Sequence, residues 1–226
     1  MGKLGILLAV LATLARPAPV SARTLSAQDV LTVCMTTPKD PKDVLVYFYA
    51  NGWADVADAD KASLKETVAL IFSATNPRVY PRDPIQKQLE AQLKFWPRAQ
   101  TVAASVLGPT PKTPVAILKH ITGAILLFKF EADAMILTQC FLGVPEAATK
   151  PQEFSPKLAA PSPPALFEGK LESAHLTTTR TRMLAQTVSV DPVAVERNFG
   201  IKTDITAVYY GSIQYPAWAV NPSPTK

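Results

Sequence analysis

The chain has 226 residues, 48% of them apolar and 18% charged, with a formal net charge of +5 at pH 7. That apolar content belongs to a folded globule rather than a disordered tail, and so mild a basic excess does not imply a nucleic-acid partner. Two cysteines and two histidines leave little room for thiolate metal sites or imidazole-based catalysis.

The chain opens with Lys3, an apolar stretch from Leu4 to Leu14, and the small residues Val20-Ser21-Ala22. This is the order of a cleavable secretory signal, with cleavage expected after Ala22 and Arg23 as the mature N-terminus. The apolar run of roughly 11 residues is about half of what a membrane-spanning helix needs, and Arg16-Pro17 ends it. Removing residues 1–22 takes away Lys3 and Arg16 and no acid, so the charge falls to about +3. The expected location is periplasmic or secreted, with no transmembrane segment after cleavage. In such an oxidising compartment Cys34 and Cys140 are expected to form a structural disulfide. It would close a loop of about 100 residues, for which chain entropy gives around 4 to 5 kcal/mol as an upper guide. A redox pair would sit two residues apart, and a metal site would want nearby histidines.

Ser26 to Val106 reads as mainly helical. Ser26 with Asp29 suits a helix start, and Val30, Val33 and Cys34 share one face. Asp40-Pro41 is an N-cap followed by the residue best suited to the first helical turn, and Asn51-Gly52 is a left-handed stop. Between them Val44 to Tyr49 has a strand-like composition, and the flanking caps decide for a helix. Leu64, Val68, Ile71 and Phe72 form the next helical stripe, ended by Asn76-Pro77. Asp83-Pro84 starts another, with Ile85, Leu89, Leu93 and Trp96 expected in register and Pro97 expected to kink or restart it.

From Val115 the pattern changes. Ala124 to Phe130 and Ala134 to Leu142 are apolar runs joined by Glu131-Ala132-Asp133, which predicts an antiparallel hairpin carrying Cys140. Residues 144–164 are rich in Pro, Ala, Ser and Lys and read as a linker. Leu166 to Leu176 and Thr178 to Val190 read as strands, Asp191-Pro192 to Gly200 as a short helix, and Thr206 to Tyr215 as a final strand. Helices first and strands later is the α+β pattern. The expected architecture is therefore a signal at 1–22, an α+β domain at 23–143 with helices packed on an antiparallel sheet, a Pro-rich linker at 144–164, and a β-rich segment at 165–226 that either stands apart or completes the same domain.

Few residues invite a chemical role. His175 lies in a strand near Ser173, Thr177 and Thr179, but no nucleophile elbow accompanies it. His120, beside Lys119, reads as an edge or turn residue. Asp55, Asp58 and Asp60 lack the glycine and distant glutamate of a calcium loop and suit helix capping better. Asn51-Gly52-Trp53 either holds a tryptophan out on a turn or stops a helix whose Trp packs back on the core. Arg78, Tyr80 and Arg82, then Lys87, Lys94, Trp96 and Arg98, make the middle region the most basic. Basic residues near aromatics suit anionic glycan or lipid headgroups, and equally a solvated helix face. Tyr209, Tyr210, Tyr215 and Trp218 suit an interface or sheet packing.

No catalytic, cofactor-binding or metal-ligating residue is predicted. The residues expected to contact a ligand or partner are Trp53, Arg78, Arg82, Trp96 and His175. These features favour a non-catalytic binding, inhibitory or envelope-accessory module whose partner is an envelope or extracellular protein or an anionic glycan. Two alternatives remain: a hydrolase whose Ser, Asp or Glu meets His175 or His120 in the fold, and a subunit of an envelope assembly with a broad apolar face.

Overall fold

The computed structural model describes residues 27–36, 40–75, 85–109, 115–145, 167–176 and 181–217, the side chains of residues 28, 85, 86, 88, 89, 167–176 and 181–187 excepted. The elements in chain order are α1 (Ala27–Met35), α2 (Pro41–Ala50), β1 (Trp53–Asp55), α3 (Asp58–Lys61), a 3-10 turn (Ala62–Leu64), α4 (Lys65–Ala74) and α5 (Ile85–Leu107). Then follow β2 (Val115–His120), β3 (Ile125–Ala132), β4 (Met135–Pro145), β5 (Phe167–Leu176), β6 (Thr181–Val190), α6 (Pro192–Phe199) and β7 (Ile205–Pro216). This is the expected α+β arrangement of helices on an antiparallel sheet. Residues 1–26 and 146–166, which include the expected signal and most of the expected linker, lie outside the described residues.

Local chemistry sets the helix ends. The Asp40 carboxylate accepts from the amide of Lys42 at 2.8 Å, and that of Asp191 from Val193 and Ala194 at 3.0 and 3.2 Å. Both thereby satisfy amides that have no partner within the helix. Gly200 ends α6 at a φ of 71°, a left-handed backbone that costs a glycine little. The helix α5 runs past Pro97 without a restart; Pro97 and Leu93 lie on the outer side, where water can satisfy the carbonyl that proline cannot bond. One expectation is corrected on α5. Leu93, at 40% exposure, is off the buried stripe of Gln92, Trp96, Ala99 and Ala103. One residue is about 100° of helix rotation, enough to carry Leu93 out of that stripe.

The strands form one seven-stranded antiparallel sheet in the order β1-β2-β3-β4-β7-β6-β5. The pairing of β7 with β4 ties the strands after residue 166 to those before residue 145. Helices lie on both faces. Leu118, Leu126, Cys140, Leu142 and Tyr209 belong to a core with α1 and α2, while Ile117, Ile125, Leu127 and Val208 belong to a second core with α4, α5 and α6. Alternation along each strand supplies the two sets.

Two glycines let the helices approach closely. A Cβ on Gly211 of β7 would lie 3.0 Å from Leu31 of α1, and one on Gly143 of β4 would lie 2.7 Å from Ile71 of α4, on the opposite face. The Cys34–Cys140 disulfide, with Cα atoms 6.0 Å apart, fastens α1 to β4 beside the contact of Leu31 with Gly211, which pairs with Cys140. Both cysteines are fully buried. No helix among the described residues is long and apolar enough to cross a membrane.

Candidate functional site

The corner where α2 meets the sheet gathers several residues that the sequence singles out. Gly52, at a φ of 86°, turns the chain from α2 into β1 and brings Trp53 opposite His120. Trp53 is only 4% exposed and lies 5.2 Å from the His120 ring and 5.9 Å from Phe48, centroid to centroid. It is therefore the tryptophan that packs back on the core, not one presented to a partner. His120 is at the β2–β3 turn, as expected, and is buried there; Gly52 leaves room for its ring, since a Cβ there would be 3.2 Å from Nε2.

The Thr122 amide donates to His120 Nδ1 at 3.3 Å, and the Thr122 hydroxyl lies 2.9 Å from the same nitrogen. With Nδ1 accepting, the proton resides on Nε2, and the ring's other hydrogen bond goes to the backbone of Asn51. Burial pushes the His120 pKa down, and the Asn51 bond offsets only part of that. Neutral, enclosed and bonded on both sides, His120 clamps the end of α2 to the β2–β3 turn. It has no free nitrogen to act as a base.

The neighbouring acids are also engaged. Asp55 accepts from the Tyr49 hydroxyl at 3.1 and 3.0 Å, and Asp58 pairs with Lys61 at 2.7 Å. Burial first, and then the Asp55 carboxylate, raise the Tyr49 pKa, while the Lys61 contact lowers that of the exposed Asp58. No group of three or more His, Cys, Asp or Glu among the described residues is placed to hold a metal ion.

Of the other expected contact residues, Trp96 is buried and stacked on Phe199 at 4.5 Å, which removes it from the surface. Lys87, Lys94 and Arg98 are on exposed positions of α5. Arg78 and Arg82 lie outside the described residues, as do Tyr80 and Trp218. His175 lies in β5, opposite Arg182.

The register leads from His175 to a different site. Arg182 pairs with Gln214, Gln214 with Leu137, and Leu137 with Glu131. Glu131, Leu137, Gln214, Arg182 and His175 therefore form one row across five strands, on the same face as α4. The next row is Lys129, Gln139, Ser212, Leu184 and Ser173. The row after that contains Leu127, Phe141 and Tyr210 and marks the border with the helix-covered core. There Phe72 of α4 meets Phe141 edge-on at 5.0 Å, and Phe141 meets Tyr210 at 4.8 Å.

The helix α4 is shorter than the strands beneath it. A helix of ten residues such as α4 is about 15 Å long, whereas a strand of 11 residues such as β4 runs for about 36 Å. Beyond α4 this face mixes polar side chains with Leu137 and Leu184. Gln139 Nε2 donates to the Tyr210 hydroxyl at 2.8 Å, Lys129 and Glu131 pair at 2.9 Å, and Gln139, Gln214 and Lys129 are half-buried. The same strands on their other side bury Ile136, Ile213 and Tyr215 together, with Thr138 as the one buried polar residue among the described positions of β4 on that side.

Comparison of the chain with family models, with curated proteins and with solved structures finds no match. The platform is therefore read from its own chemistry. It offers the half-buried amides of Gln139 and Gln214, the Lys129 ammonium and the Glu131 carboxylate side by side on strands, with Ser212 and Tyr210 buried among them, and strands hold side chains more precisely than loops do. Sequence reasoning reached His175 and Tyr210 but not Lys129, Glu131, Gln139, Ser212 or Gln214. A signal for the last two was present in the period-two alternation of Tyr210-Gly211-Ser212-Ile213-Gln214.

Proposed function

We propose that the protein is an exported, non-catalytic binding module that holds a glycan on the polar end of the α4 face of its sheet. The observation that carries this reading is the asymmetry of β4 and β7. One side stays apolar apart from the buried Thr138, while the other changes beyond Phe141 and Tyr210 to a mixed surface in which Lys129, Glu131, Gln139, Ser212 and Gln214 stand among Leu137 and Leu184. Polar side chains placed that way on core strands add nothing to hydrophobic burial. They do suit a ligand that presents many hydroxyl or carboxylate groups. The half-buried Lys129, in the row of Gln139 and Ser212, favours an anionic sugar over a neutral one. Export is supported by the N-terminal pattern of Lys3, Leu4 to Leu14 and Val20-Ser21-Ala22, and by the buried disulfide, which an oxidising compartment sustains. A hydrolase working through His120 is disfavoured because both ring nitrogens are occupied.

The test is amide NMR of the full mature chain titrated with acidic and neutral oligosaccharides. Shifts confined to β3, β4, β6 and β7, saturable, and weakened about tenfold by Gln214→Ala or Lys129→Ala, support the reading; a lost hydrogen bond to a charged group is worth about that factor. Cleavage of the sugar, or shifts confined to the exposed side of α2, would overturn it.

A further inference from the structure

We propose that two copies of this chain join edge to edge through β5, antiparallel about a twofold axis at Leu171, into one continuous sheet. The two edges of the sheet are unequal: β1 has three residues, while β5 has ten and contains no proline. A short edge strand is a common protection against unwanted pairing, whereas a long one presents unpaired backbone groups that serve as a template. Among the described residues nothing pairs with the outer side of β5.

A twofold axis between antiparallel strands runs perpendicular to the sheet, so each residue must meet one on the same face, and only alternate registers are allowed. The sequence of β5, Phe-Glu-Gly-Lys-Leu-Glu-Ser-Ala-His-Leu, distinguishes among them. Centring on Lys170 would set Lys170 against itself and Glu168 against Glu172, and centring on Glu172 would set Glu172 against itself. Like charges directly opposite one another destabilise a pair of strands. Centring on Leu171 sets Lys170 opposite Glu172 twice, once in each direction, with Leu171 opposite Leu171 and Phe167 opposite His175. Centring on Gly169 also matches charges, Glu168 with Lys170, but pairs β5 only from residue 167 to 171. The Leu171 register is complementary and pairs residues 167 to 175 of each copy. Since that axis preserves faces, both α4 sides lie on the same side of the joined sheet.

Analytical ultracentrifugation of the full mature chain, over a range of concentrations, tests this. A concentration-dependent dimer is expected. Lys170→Glu or Glu172→Lys alone should raise the dimer dissociation constant about tenfold, because two opposed like-charged pairs replace two attractive ones. The double exchange K170E/E172K should restore it, which also shows that the variants fold. Under oxidation Leu171→Cys should give a covalent dimer and Gly169→Cys should not, since only residue 171 meets its own copy. A wild-type monomer at every concentration would overturn the proposal. So would a dimer that is indifferent to both charge reversals and to Leu171→Cys oxidation.

Discussion

Ile71 of α4 occupies the space that a side chain on Gly143 of β4 would need. A Cβ there would sit 2.7 Å from Ile71 Cδ1, 3.0 Å from its Cγ1 and 3.3 Å from Ile205 Cδ1. Isoleucine in a helix has one strongly preferred χ1 rotamer, so Cγ1 stays in place even where rotation about χ2 carries Cδ1 away. Gly143→Ala is therefore expected to destabilise the fold by about 1–3 kcal/mol, the usual cost of overpacking. Ile71→Val removes Cδ1 and should recover part of that loss. A urea-denaturation double-mutant cycle reads the coupling, and strict additivity of the two changes would mean that α4 does not seat on Gly143.

Cys34 and Cys140 are separated by 106 positions in sequence. Closing so long a loop restricts the unfolded chain, and removing a native disulfide from a domain costs about 2–5 kcal/mol. The double variant Cys34→Ser and Cys140→Ser should lose that much in urea denaturation. Reductant should lower the wild-type midpoint and leave the variant unmoved. An equal effect of reductant on both would show that the bond is not the source of the difference.

Much of the fold is legible from short-range chemistry. Asp40-Pro41 and Asp191-Pro192 mark helix starts because a carboxylate that caps and a proline that needs no donor act within one turn. The hairpin of β3 and β4, and the pairing of the only two cysteines, are likewise local or forced by number. What depends on long-range placement is not legible in this way. β1 has three residues and no period, and it exists because Trp53 meets His120 across the sheet. His120 is legible as a turn residue, but its enclosure depends on Trp53 and on the absent side chain of Gly52, both distant in sequence. The platform arises from neighbours far apart in sequence, Gln139 with Ser212 and Leu137 with Gln214. No window along the chain contains both members of either pair.

Burial depresses the His120 pKa below its ordinary 6.5, which gives the stability a definite pH dependence. The unfolded chain takes up a proton near the ordinary value and the folded chain only at lower pH. The contribution of this residue is therefore complete above 6.5 and is lost as pH falls through the folded value. Protonation would also put a hydrogen on Nδ1, where the Thr122 amide now donates. His120→Gln should flatten the decline in stability on the acid side of neutrality, measured by urea midpoints across pH. By NMR the His120 ring should titrate below 6.5, and titration at or above that value would contradict the enclosed, neutral imidazole.

Ile213 and Gln214 are adjacent in β7 yet belong to opposite faces, and that contrast tests whether the platform is surface or core. Ile213 is 3% exposed and packs with Ile136 and Tyr215. Ile213→Ala should cost about 2–5 kcal/mol, as truncating a buried aliphatic side chain does. Gln214 is half-buried on the polar face, and Gln214→Ala should change stability by no more than about 0.5 kcal/mol. Ser212 and Gln139 lie one row nearer to α4, and Gln139 donates to the hydroxyl of Tyr210. Gln139→Ala should therefore cost an intermediate amount, about 1 kcal/mol for the lost bond. Urea denaturation of the three variants measures the gradient. A Gln214→Ala loss as large as that of Ile213→Ala would make this end of the sheet a second core, with no polar face left to bind a ligand.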